Sequence, residues 1–149
     1  AVILIVGGSH QGKSRAALRH FNRVNGMESS SVLDGRMMEK RGFGGVEELY
    51  EALLSADVIL HLEKLFEYLM RETENPEDFG SAFLLQMEAR EKAEGRERVL
   101  TADEIGCGIV PLDPFERDYR EREGRFCQRA AAQAREVYRI LCGLEMRLK

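Results

Sequence analysis

The run Gly7-Gly8-Ser9-His10-Gln11-Gly12-Lys13-Ser14 follows the apolar stretch Val2-Ile3-Leu4-Ile5-Val6 and has the spacing G-x-x-x-x-G-K-[ST]. That is the pattern of a phosphate-binding loop, and each residue type has a physical use in it. Glycines allow backbone angles and close approaches that a Cβ forbids, so successive N–H groups can point at phosphate oxygens. Lys13 brings a positive charge to the β- and γ-phosphates, and the Ser14 hydroxyl is an oxygen donor suited to Mg²⁺. A helix beginning near Lys13 adds the positive end of its dipole. The sequence therefore predicts binding of ATP or GTP with Mg²⁺. The phosphates are expected to lie among Gly7, Gly8, Ser9, His10, Gln11, Gly12, Lys13, Ser14 and Arg15.

Such a loop works with an acid from the end of a neighbouring strand. Val99-Leu100-Thr101-Ala102 runs into Asp103-Glu104, and either carboxylate suits a place at the metal or nucleotide. The other candidate strand, Val58-Ile59-Leu60, ends in His61 with Glu63 two residues on. His61 reads as a satisfied histidine at a strand end. His10 reads as a loop residue, and His20, on the first helix beside Arg15 and Arg19, as solvated or partner-facing. Arg117, Arg120, Arg122, Arg125 and Arg129 are interleaved with Glu116, Asp118, Glu121 and Glu123. Mixed charges of that kind read as a solvated helix face laced by i, i+4 pairs.

The elements that must position these residues alternate. Strands are expected over Val2–Val6, Ser31–Leu33, Asp57–His61 and Arg98–Ala102, with terminal strands Val137–Leu141 and Met146–Leu148 turning at Gly143. Helices are expected from Lys13 to Val24, Val46 to Ser55, Leu62 to Met70, Pro76 to Glu94 and Pro114 to Arg135. Leu62, Leu65, Phe66, Leu69 and Met70 form an apolar stripe at helical spacing. This alternation predicts one α/β domain over residues 1–149 with the three-layer architecture of P-loop NTPase-like folds. Its sheet should be mainly parallel, with an antiparallel C-terminal strand. The chain has 149 residues, 44% hydrophobic and 32% charged, and a net charge of −4, which offers no general attraction to nucleic acid. No apolar run reaches the length of a membrane span. Three widely spaced cysteines, Cys107, Cys127 and Cys142, make neither a disulfide framework nor a zinc pattern, and a reducing cytoplasmic setting is the simplest reading.

The same residues resemble a known family, the bifunctional adenosylcobinamide kinase / adenosylcobinamide-phosphate guanylyltransferase enzymes. Ile5-Val6-Gly7-Gly8-Ser9-x-x-Gly12-Lys13-Ser14-Arg15 is similar to that family's opening. Glu104-x-Gly106-x-Gly108-Ile109-Val110-Pro111 is similar to its N-E-V-G-x-G-I-V-P segment. Arg117-x-Tyr119-Arg120-Glu121-x-x-Gly124-Arg125-x-x-Gln128 resembles its R-x-[FY]-R-D-x-x-G-R-x-N-Q. There are departures. Asp103, Glu121 and Cys127 stand where the family has Asn, Asp and Asn, and His61 and Lys64 replace the Asp and Thr of its V-L-L-D-C-L-T strand. Between Asn25 and Ala56 the family carries a histidine that becomes guanylylated. Here Gly35-Arg36-Met37-Met38-Glu39-Lys40-Arg41-Gly42 contains none, and a phosphoramidate intermediate needs that imidazole.

The resemblance implies a kinase that transfers the γ-phosphate of ATP or GTP to the hydroxyl of a corrinoid in cobalamin biosynthesis, with the guanylyltransferase activity lost. It implies catalytic roles for Lys13 and Glu104, Mg²⁺ at Ser14 and Glu104, substrate or phosphate contacts by Arg117 and Arg120, and a homo-oligomer, in the family a trimer. Two other functions fit the same residues: a nucleotide-binding regulatory or accessory protein without catalysis, and an NTP hydrolase acting with another partner.

Overall fold

Val2 and Leu4 fall on one face of an extended strand, Ile3 and Ile5 on the other, and all four are buried. A strand that is apolar on both faces belongs in the middle of a covered sheet. In the computed structural model, which describes residues 1–29, 31–37, 45–105 and 110–149, this strand is β1 (Ile3–Gly7). The other strands are β2 (Val32–Asp34), β3 (Val58–Leu60), β4 (Val99–Asp103), β5 (Glu136–Leu141) and β6 (Leu144–Arg147). They form one six-stranded sheet in the order β2-β3-β4-β1-β5-β6. Every pairing is parallel except β5 with β6. The fold is thus mixed α/β, consistent with a P-loop NTPase-like fold, with the antiparallel C-terminal strand the sequence predicts. Of that sequence reading, Met38–Gly42 and the glycine-rich Gly106, Gly108 and Ile109, with Cys107, lie outside the described residues.

Among the described residues five helices cover the sheet: α1 (Lys13–Asn25), α2 (Val46–Ser55), α3 (Leu62–Glu72), α4 (Pro76–Glu94) and α5 (Pro114–Gln133). The two faces carry different loads. Ala16, Ala17 and Phe21 of α1 pack with Ile3, Ile5, Val58, Val99 and Ile140. Leu49 and Leu53 of α2, the Leu62-Leu65-Phe66-Leu69 stripe of α3, Phe83 and Met87 of α4, and Phe126 and Ala130 of α5 pack with Leu4, Ile59 and Leu100 on the opposite face. The helices end close to their expected bounds. α5 stops at Gln133, because Ala134 takes an extended conformation and leads directly into β5.

Two readings of the charged residues are corrected. His20 is buried, not solvated. Its Nε2 lies 3.0 Å from Glu145 Oε2, Arg23 bonds its Nδ1, and its ring sits 4.3 Å from that of Tyr138. Burial, and then the charges of Arg23 and Arg19, hold its pKa below the usual histidine value. On α5 the i, i+4 pairs Arg122–Asp118 and Arg125–Glu121 are present, yet Glu123 faces inward beside Tyr119 and Phe126.

Glu123 is 3% exposed and accepts a hydrogen bond from Cys127 Sγ at 2.8 Å. Burial pushes its carboxyl up to about 7, the Cys127 hydrogen bond opposes this, and the charges of Glu63 and Asp103 add to it. A carboxyl raised in the folded state binds its proton there while the unfolded chain has lost it. Its contribution to stability is therefore complete below the unfolded value near 4.5 and lost as pH rises through about 7. Glu123→Gln keeps the shape without the charge. It should raise stability by about 2–3 kcal/mol at pH 8 and leave it nearly unchanged at pH 4.5. Urea unfolding of both proteins at the two pH values measures this, and an equal effect at both would refute it.

Candidate active site

The loop that follows β1 begins at a sheet position set by register. Gly7, the last residue of β1, pairs with Asp103 at the end of β4 and with Ile140 on β5. The carboxyl ends of β1 and β4 are therefore level, which is where open parallel sheets bind ligands. Gly12 has φ +94°, a left-handed conformation a side chain resists, and directly precedes α1. The loop thus closes onto the first turn of the helix, with Lys13 as its first residue.

Lys13 is 5% exposed, and its Nζ donates to Gly8 O at 2.6 Å and pairs with Asp103 Oδ1 at 2.7 Å. Ser9 Oγ donates to Asp103 Oδ2 at 3.1 Å. Burial alone would raise the Asp103 carboxyl, but the Lys13 ammonium and the Ser9 hydroxyl, with His61 nearby, hold it below the usual aspartate value. Gln11 reaches across the loop, its Oε1 accepting from the Cys142 amide in the β5–β6 turn. Ser14 is half-buried at the start of α1, and His10 and Arg15 are exposed at the rim.

A cleft of about 360 Å³ opens over the loop, lined by Ser9 through Arg15 together with Arg36, His61, Lys64 and Asp103. That is room for a small ligand. Neighbouring residues of an extended chain point to opposite sides, so only one of Asp103 and Glu104 can face this cleft. It is Asp103. Glu104 turns toward β5, where both its oxygens accept from Arg139, at 2.7 and 3.1 Å. Arg117 and Arg120 are not among the cleft residues. Arg117 is exposed and donates to Pro111 O at 3.1 Å and Leu112 O at 2.9 Å.

The cleft also gathers residues that the sequence reading left aside. Arg36 arrives on the short 3₁₀ turn Gly35–Met37 after β2, held by Asp34, with Nη2 2.8 Å from Asp34 Oδ2. Lys64 lies on the first turn of α3 and pairs with Glu67 at 3.4 Å. The His61 ring, read from sequence as a satisfied histidine, does have a partner, Glu63 Oε1 at 3.0 Å, but it also lines the cleft. The available signal was the unusual pair His61-x-Glu63 directly after an apolar strand. No described helix is long and apolar enough to cross a membrane.

Comparison with known proteins agrees with this architecture. The family model for cobinamide kinase / cobinamide phosphate guanyltransferase matches residues 48–148. The bifunctional adenosylcobalamin biosynthesis protein CobU of Escherichia coli (strain K12) is 25% identical over 182 aligned residues, covering 99% of each chain. The protein of the same description from Salmonella typhimurium (strain LT2) is 41% identical over 51 residues, 34% of this chain and 28% of that relative. The family match takes in β3, β4 and both C-terminal strands, hence the strand ends that face the glycine loop. On that match the chain belongs to the cobinamide kinase / cobinamide phosphate guanyltransferase family.

Proposed function

We propose that this protein is a kinase that transfers the γ-phosphate of ATP or GTP to the hydroxyl of a cobinamide-type corrinoid, and that it does not transfer guanylyl groups. The observation that carries the kinase half is Lys13, a buried ammonium held between the Gly8 carbonyl and Asp103 at the floor of the loop cleft. On phosphate binding, Lys13 can exchange the Gly8 carbonyl oxygen for oxygens of the β- and γ-phosphates, while Asp103 keeps it oriented. The loop amides and the start of α1 supply the rest of the positive field, and positioning with charge stabilisation accounts for most of the catalysis in phosphoryl transfer. The cleft fits a magnesium ion in its chemistry, because the Ser14 hydroxyl offers a hard oxygen donor beside Lys13 in the cleft lining. Mg²⁺ there would neutralise phosphate charge. Glu104, engaged with Arg139, is not used in this reading. Arg36, Lys64 and Arg15 are the cleft cations placed to meet phosphate or the anionic part of a substrate.

The second half of the proposal rests on the sequence. The chain has three histidines, His10, His20 and His61, and none lies between His20 and His61, where the family pattern has its guanylylated one. The test is turnover by purified protein with Mg²⁺, ATP and GTP separately, with and without adenosylcobinamide, and products resolved by mass spectrometry. A phosphorylated corrinoid with no GDP-linked product is expected. A GDP-linked product would overturn the loss of transfer. Nucleotide binding without any corrinoid product would favour the accessory-protein reading, to which the His61-for-Asp departure lends its support. Turnover indifferent to corrinoid would indicate a hydrolase.

A further inference from the structure

β3 ends at Leu60, and the next residue, His61, has φ +57° and ψ +56°, a left-handed conformation that costs a non-glycine residue about 1 kcal/mol or more. The surroundings hold it there. Its N–H donates to Thr101 Oγ1 at 3.0 Å, and its carbonyl accepts from Lys64 N at 3.0 Å to start α3. The effect is to set an imidazole at the cleft. Its Nδ1 lies 3.0 Å from Glu63 Oε1 and 3.8 Å from Asp103 Oδ1, the oxygen that pairs with Lys13. The ring therefore lies across Asp103 from the ammonium that meets the terminal phosphates in the proposed function, and it lines the same cleft.

Glu63 is built into the interior. It is 1% exposed, Tyr119 Oη donates to its backbone carbonyl at 2.7 Å, and among the described residues its Oε2 has no hydrogen-bond partner. It sits in the first turn of α3, where the helix dipole favours a negative charge. A carboxylate only accepts, so Nδ1 of the ring carries the hydrogen and Nε2 the lone pair. Among the described residues Nε2 has no hydrogen-bond partner. An imidazole held by a buried acid through one nitrogen and free at the other is the arrangement of a general base.

We propose that His61 is the general base of the phosphoryl transfer, taking the acceptor hydroxyl's proton on Nε2, and that Glu63 positions its ring. This rests on the kinase reading above. The acceptor oxygen forms its bond to the γ-phosphorus as the bond from that phosphorus to the β,γ-bridging oxygen breaks. The nucleoside diphosphate leaves with the electron pair, and the hydroxyl proton passes to Nε2. The imidazolium so formed then releases its proton to water. The charged groups around the ring are Glu63 and Lys64 from α3, Asp103 from β4, Lys13 and Arg15 from α1, Asp34 at the end of β2 and Arg36 from the turn that follows it. Glu63 and Asp103, the acids nearest the ring, stabilise the imidazolium. The same two acids oppose a phosphoryl group on Nε2, which argues for a base over a covalent nucleophile.

The test is kcat for corrinoid phosphorylation against pH in wild type, His61→Asn and Glu63→Gln, with nucleotide affinity measured beside it. The wild type should lose rate toward low pH, as the ring becomes protonated. His61→Asn should lower kcat roughly 100-fold or more and remove that acid limb, with nucleotide affinity unchanged within about threefold. Glu63→Gln should displace the limb toward lower pH, because the adjacent carboxylate that favours the imidazolium is gone. A merely structural Glu63 would leave the limb in place. A His61→Asn protein with wild-type kcat and an intact limb overturns the assignment while sparing the kinase reading. So does an acid-labile phosphate found on His61. A wild type that binds nucleotide but makes no corrinoid phosphate overturns the kinase reading, and the base falls with it.

Discussion

Lys13→Ala should abolish triphosphate binding while leaving a cooperatively folded protein. The reason lies in what the ammonium touches. It is nearly enclosed, and its partners are the Gly8 carbonyl and Asp103. Deleting it removes the positive charge nearest the β- and γ-phosphates and leaves the Asp103 carboxylate facing them without its counter-ion. A lost charge-assisted contact and an added repulsion act in the same direction, so affinity should fall by roughly 100-fold or more. The fold should survive, because alanine is a good residue in the first turn of a helix and Asp103, 17% exposed, can take up water. Calorimetric titration with ATP and with GTP, alongside a thermal melt, separates the two effects. Binding of both nucleotides at wild-type strength would mean that the cleft is not the nucleotide site.

The second large effect is expected at Gly35, a residue outside the loop. A Cβ built there would lie 2.3 Å from the His61 carbonyl oxygen and 3.2 Å from that of Leu60. Both obstacles are backbone, so neither can rotate away. The His61 carbonyl also accepts from the Lys64 and Leu65 amides, so pushing it aside disturbs the first turn of α3. Gly35→Ala should cost about 2–4 kcal/mol, in the range for overpacking a rigid contact. For a chain of this size that is a fall in Tm of roughly 5–15 °C. Turnover should fall as well, through displacement of the cleft residues Arg36 and His61. Thermal unfolding followed by circular dichroism measures the first effect. A variant that melts within about 2 °C of wild type would show that the turn moves away freely and that the contact does not tie it to the cleft.

Much of this molecule was legible before the chain was folded, and the legible parts share a property. Gly7 to Ser14 reads as a phosphate loop because its glycines, lysine and serine act within eight consecutive residues. The strand Ile3–Gly7 and the stripe Leu62-Leu65-Phe66-Leu69 show their buried faces as periods of two and of 3.6, which are properties of a local chain conformation. Alternation of such segments implies a covered, mainly parallel sheet, and the short turn at Gly143 implies the antiparallel last pair.

What tertiary structure decided are the contacts between segments far apart in sequence. Asp103 and Glu104 are equivalent as a dipeptide. Only the register of Gly7 against Asp103 turns the first toward Lys13, and only Arg139, arriving on β5, draws the second away. His20 looked solvated because Glu145, 125 residues later, is invisible to a helical pattern. Arg36 and Lys64 join the cleft because β2 pairs with β3 and β3 with β4, although no motif in the sequence links them. The physical reason is range. Backbone angles and hydrophobic periodicity are set by neighbours along the chain, whereas the partner of a charge is set by whichever strand end the sheet order brings within hydrogen-bond distance.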